Sequence, residues 1–158
     1  MKETKPAVKI LFICHGNICR SPMAEFIMKD LARKAHAEDR VEAASAATST
    51  EELGNPVDRR AARELARHGV RCENRCARQI TRRDYADFDL LICMEQVNVR
   101  NVLRMLGGDP QNKVRLLLSY TGSGADIDDP WYTGRFSEVY AQIEAGCKAL
   151  LEKILTGL

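Results

Sequence analysis

No stretch of this chain approaches the run of apolar residues needed to cross a membrane, which excludes a spanning helix. The apolar run after the charged start MKETK is too short for the core of a secretory signal, so a cytoplasmic protein with reduced thiols is expected. An excess of one charge is missing as well. The formal net charge is +2 and the basic residues are spread out rather than gathered in a block, which gives no footprint for nucleic acid. Histidine is scarce, with three copies. Cys72 and Cys76 have the look of half a metal site, but no other Cys or His pair completes it, and neither a metal nor a cofactor is expected. Internal repeats, linkers and low-complexity segments are also lacking.

What is present describes an ordinary globular chain. Its 158 residues, 45% hydrophobic and 29% charged, are expected to form one domain over 1–158, with a core at about 7–157. Such a chain buries enough apolar surface to fold without disulfides, and a monomer is the default. Apolar runs predict strands at Val8–Ile13, Phe88–Met94 and Val114–Leu118, with a poorer candidate at Val41–Ala46. Helices are predicted from Pro22 to the basic pair Arg33-Lys34, from Pro56 to Gly69, and over Val99–Leu106 before Gly107. Thr81 is placed to cap a short helical turn. The last helix has the clearest period, a stripe of Phe136, Val139, Tyr140, Ile143, Cys147, Leu150, Leu151, Ile154 and Leu155.

Strands alternating with helices imply an α/β fold with a four-stranded parallel sheet and helices on both faces. A flavodoxin-like order, 2-1-3-4, suits four strands with a ligand loop after the first. In such sheets ligands bind beyond the carboxyl ends of the strands, so the loops after Ile13, Ala46, Met94 and Leu118 are expected on one rim.

The chain is organised around Val8 to Met28, VKILFICHGNICRSPMAEFIM. A buried strand ends at Cys14, a glycine-containing loop follows, and Pro22 suits the first turn of a helix. That arrangement aims backbone N–H groups and a helix N-terminus at an anion. A thiol at its mouth is expected to have a depressed pKa and to exist as the nucleophilic thiolate. Arg20 adds a planar, bidentate grip on phosphate oxygens. Spacing alone proves little, because Cys-x5-Arg also occurs at Cys72 with Arg78 and at Cys76 with Arg82. Only the first copy has a buried strand before it, a glycine within it, and Ser-Pro plus an amphipathic helix after it.

The loop CHGNICRSPMAE resembles the active-site loop of the low-molecular-weight protein tyrosine phosphatases. The likeness continues in order through Ser45, GNPVD (Gly54 to Asp58), RHGV (Arg67 to Val70), ARQIT (Ala77 to Thr81), DLLICM (Asp89 to Met94) and DPWY (Asp129 to Tyr132). The resemblance implies hydrolysis of aryl phosphate monoesters on a tyrosine-phosphorylated protein, without metal, through a cysteinyl-phosphate. Cys14 is then the nucleophile. His15, Gly16, Asn17, Ile18, Cys19 and Ser21 form the phosphate loop with Arg20, which stabilises charge on the equatorial oxygens. Ser21 can donate to the sulfur as it departs, and His15, beside the nucleophile, can tune its thiolate.

Asp126, Asp128 and Asp129 crowd one loop, and the family's Asp-Pro-aromatic motif makes Asp129 the acid and later the base. Asp128 is placed to raise the pKa of Asp129 by like-charge repulsion. Asn17, Ser45 and His68 look like residues that hold the loop, with Asn17 in a left-handed conformation. Trp131 and Tyr132 wall the pocket and favour an aryl phosphate. The family pattern also implies a reversible disulfide between Cys14 and Cys19. Two departures stand out: Thr48 to Glu52 has no aromatic residue where relatives often have one, and Glu95 stands where Asp is common.

Two rival readings remain. A thiol-dependent arsenate reductase on the same scaffold would relay oxidation through two further cysteines; Cys93 is available, but Arg100 occupies the place of the second. A silent phosphotyrosine-binding module would need neither Cys14 nor Asp129.

Overall fold

The computed structural model describes residues 6–157; the charged start Met1–Lys5 and Leu158 lie outside the described residues. Four strands, β1 (Val8–Cys14), β2 (Val41–Ala47), β3 (Leu90–Cys93) and β4 (Val114–Leu116), form one sheet in the order β2-β1-β3-β4. Every pairing is parallel. β1 is central, and Ile10 to Ile13 are completely buried, as a strand covered on both faces requires. Alternation along it feeds two cores. Ile10 and Phe12 join Met23, Phe26 and Ile27 of α1 (Arg20–Lys34) and Val139, Ile143 and Leu150 of α6 (Phe136–Thr156). Leu11 and Ile13 face the other way, with Leu91, Cys93 and Val102 of α4 (Gln96–Leu106).

β2 is built of small residues, and α1 packs over it. α2 (Arg59–Arg67) begins beyond Pro56, because the Asp58 side chain accepts the Arg60 N–H at 2.8 Å and caps it there. α3 (Arg82–Asp87) opens with the capping box of Thr81 and Asp84. α4 ends at Gly107, whose φ of 78° suits glycine.

Three expectations are corrected. β3 is shorter than Phe88–Met94, because Phe88 closes α3 and the Asp89 carboxylate binds the Lys9 N–H. β4 stops at Leu116, and Leu117–Thr121 coil into a 3₁₀ helix. There Leu117 lies against α6 so closely that a Cβ on Gly146 would sit 2.5 Å from its Cγ. In α6 the stripe is buried from Phe136 to Ile154, but Leu155 is exposed.

The register aligns the carboxyl ends of the strands, pairing Cys14 with Ala47, Ile13 with Cys93, and Cys93 with Leu116. The loop before α5 (Pro130–Thr133) returns to this rim, where the Ile127 N–H donates to the Met94 carbonyl at 2.9 Å. No described helix is long and apolar enough to cross a membrane.

Candidate active site

Cys14 ends β1 and is buried, and three groups converge on its sulfur. The N–H groups of Asn17 and Ser21 donate to Sγ at 3.3 and 3.4 Å, and the Ser21 hydroxyl lies 3.0 Å away. Asn17 adopts φ 60°, which turns its N–H inward. Its amide nitrogen donates to Ser21 Oγ at 2.8 Å, fixing the hydroxyl next to the sulfur.

Asn17 is itself completely buried, and its acceptors are taken from behind the loop. Arg75 donates to its backbone carbonyl at 2.9 Å and also to its side-chain oxygen. The Arg78 N–H donates to the same side-chain oxygen at 3.2 Å. Arg78 in turn grips Asp84 with two bonds of 2.9 and 3.0 Å. Burial alone would raise the pKa of Asp84, but the bonds from Arg78 and Thr81 outweigh it and hold the carboxyl below its ordinary range.

Arg20 opens α1 with its side chain almost wholly buried. Nη1 donates to the Ile127 carbonyl at 2.8 Å and lies 3.1 Å from Glu95 Oε1; Nη2 lies 3.6 Å from Asp129 Oδ2. Burial works against its charge, but the Cys14 sulfur and the Glu95 and Asp129 carboxylates outweigh it, raising its pKa. Asp129 also caps α5, its Oδ1 accepting the Trp131 N–H at 3.0 Å. A cavity opens above the sulfur. Trp131 and Tyr132 form one wall, and Glu51 and Glu52 from the loop after β2 form another. Trp131 is 48% exposed and Tyr132 81%, so neither is spent on packing a core.

The remaining sequence-predicted residues divide. His15, Gly16, Ile18 and Cys19 line the same cavity, with His15 Nε2 3.0 Å from Glu51. Burial, with Asp58 and Cys14 nearby, pushes the Cys19 thiol well up. Ser45 donates to Glu25 on α1 at 2.7 Å and so ties β2 to that helix. His68 does not reach the loop. It bonds Glu64 at 2.9 Å and stacks on Tyr140 of α6 at 3.7 Å, because it closes α2 against that helix.

The donors to Asn17 come from Arg75 and Arg78 instead, and Arg75 had no local signal in an irregular basic stretch. Asp126 accepts the Gln96 N–H at the start of α4, while Asp128 shares a neighbouring cleft with Glu95. Cys93 is completely buried in the core on the other face of the sheet from Cys14. Among the described residues, no group of three His, Cys, Asp or Glu could hold a metal ion.

Comparison with known proteins matches this architecture. The profile described as low molecular weight phosphotyrosine protein phosphatase covers residues 9–156. The low molecular weight protein-tyrosine-phosphatase YfkJ of Bacillus subtilis is 40% identical, over 93% of this chain and 96% of that one. The low molecular weight phosphotyrosine protein phosphatase of Rattus norvegicus is 42% identical, over 91% and 94%. The crystal structure of YfkJ superposes with a TM-score of 0.93 at 38% identity, covering 98% of both chains. With profile, relatives and fold agreeing over nearly its whole length, the chain belongs to the low molecular weight phosphotyrosine protein phosphatase family.

Proposed function

We propose that this protein hydrolyses phosphotyrosine in protein substrates through a cysteinyl-phosphate, with Cys14 as nucleophile and Asp129 as general acid and then base. The observation that carries the reading is the convergence on Cys14 Sγ of two backbone N–H groups and the Ser21 hydroxyl, beneath a cavity bordered by Arg20 and Asp129.

Donors aimed at the sulfur stabilise the negative charge it carries when it attacks and when it departs. The phosphate seats on the loop, and Arg20 neutralises its oxygens while Glu95 and the Ile127 carbonyl hold the guanidinium in place. The thiolate attacks phosphorus; the bond from phosphorus to the aryl oxygen breaks, and that oxygen takes the proton of Asp129. Water then attacks the cysteinyl-phosphate and loses a proton to Asp129. The sulfur–phosphorus bond breaks, and the Ser21 hydroxyl supports the departing thiolate. Positive charge comes from Arg20 and backbone dipoles, so the mechanism calls on no metal or cofactor.

Trp131 and Tyr132 supply a flat wall for an aryl group. Arg75, through Asn17, is assigned a positioning role behind the loop. Our reading is of a monomer in the cytoplasm, a reducing compartment that suits the free cysteines. Under peroxide, Cys14 would become the sulfenic acid, and the Cys19 thiol would displace water from it to give a disulfide. Cys93 is poorly sited for a reductase relay, being buried beneath the opposite face of the sheet.

The test is release of phenolate from an aryl phosphate without added metal. Cys14→Ser is expected to abolish turnover and Asp129→Ala to lower it by about 10²–10⁴-fold. Turnover persisting in Cys14→Ser would remove the central assignment.

A further inference from the structure

The wall made by Trp131 has a second side. The Arg60 guanidinium stacks 5.0 Å from the Trp131 ring centre and 4.8 Å from that of Phe136. Behind this stack a groove runs between α2 and the start of α6; it shares no lining residue with the catalytic cavity, and the two are joined through the contact of Arg60 with Trp131.

The groove is basic by construction. Arg60, Arg63 and Arg67 lie at helical spacing on one face of α2, and Arg135 closes the groove from the start of α6. Four arginines meet two carboxylates in the groove, Glu64 and Glu138, and a third, Asp58, pairs with Arg60 from outside it at 3.2 Å. Glu64 is heavily committed: Arg67 lies 3.5 Å from it, His68 2.9 Å, and the Ser137 hydroxyl donates to it at 3.0 Å. Arg135 pairs loosely with Glu138 at 3.8 Å. Arg63 is exposed and has no ion pair among the described residues. The other approaches to the cavity are acidic, with Glu51 and Glu52 in one wall and Glu95 and Asp128 in the cleft beside Arg20.

We propose that this groove docks an acidic segment of the phosphorylated polypeptide, the flank that leaves the seated phosphotyrosine across Trp131. The inference rests on the phosphotyrosine hydrolase reading above and specifies its substrate class. Guanidinium groups bind carboxylates in a bidentate fork. A neutral or basic flank finds no partner there, and an acidic flank laid the other way meets the carboxylates. The arginines are largely exposed, so each pairing is modest and screened by salt. Their sum acts on binding, and hence on KM, because none of the docked carboxylates changes charge in the reaction.

The experiment compares three phosphotyrosine peptides, with three glutamates before the phosphotyrosine, after it, or absent, alongside a small aryl phosphate. At low salt the wild type is expected to favour one of the acidic peptides over the neutral one by about tenfold in kcat/KM, through KM. Combining Arg63→Glu with Arg67→Gln removes that preference and leaves the small aryl phosphate unaffected, which also reports that the variant is folded. About 0.5 M salt reduces the preference in the wild type.

Equal kcat/KM for all three peptides, or a preference that survives the double variant, overturns the proposal. Equal peptide turnover with retention on a polyanion column that the double variant loses overturns it in favour of a separate anionic partner. A wild type unable to hydrolyse the small aryl phosphate would instead remove the hydrolase reading beneath it.

Discussion

Replacing Arg75 with alanine strikes the active site from a residue that lines none of it. Its guanidinium holds Asn17 by the backbone carbonyl and the side-chain oxygen, and Asn17 is completely buried in a left-handed conformation. In the variant the side-chain oxygen keeps the Arg78 N–H, but the carbonyl loses its described donor. An unsatisfied buried acceptor costs about 1–3 kcal/mol, and water entering beside the half-buried site would bring the loss toward the lower end. The Asn17 N–H and amide set the sulfur and Ser21, so the distortion is expected in the transition state as well. At about 1.4 kcal/mol per factor of ten, kcat falls by about tenfold to a hundredfold. The assay pairs kcat on an aryl phosphate with urea unfolding. Arg75→Lys, which keeps the charge and one reach to Asn17, is expected to recover part of the activity. Stability lost as stated with kcat within about twofold of wild type would refute the positioning role.

Three further outcomes follow from the same geometry. Asp84 has a folded pKa below its unfolded value of about 3.9, so the unfolded state binds more protons between the two. Its stabilisation is present above about pH 4 and is lost as pH falls through the folded value, and Asp84→Asn should flatten that part of the stability–pH curve. Gly146→Ala places a methyl 2.5 Å from Leu117 Cγ and should cost about 1–3 kcal/mol in denaturant unfolding, with kcat of the folded enzyme unchanged. After peroxide and then a thiol reductant, the wild type should regain activity while Cys19→Ser does not, its Cys14 having passed to the sulfinic acid.

The parts legible in sequence were those whose signal is local. Val8–Cys14 and the loop after it announce themselves by an apolar run, a glycine and a proline within a few residues. α6 does so by its stripe, and Thr81 by its cap. The 3₁₀ turn at Leu117 was hidden, because burial against Gly146 demands the same apolar residues that a strand would. His68 matched a motif, yet stacking on Tyr140 turned it away from the loop. Arg75 works through a residue 58 positions earlier, and a contact of that range leaves no period or spacing to read. The sign of the surface beyond Trp131 also needed the fold, which brings α2 and the start of α6 together.

The most direct test of the central claim is to quench turnover of an aryl phosphate rapidly and locate phosphate on the protein by mass spectrometry. Phosphate on the peptide containing Cys14, held longer in Asp129→Asn, whose second step lacks its base, is the predicted result. Phosphate on another residue, or on none while phenolate is released, would contradict the cysteinyl-phosphate mechanism.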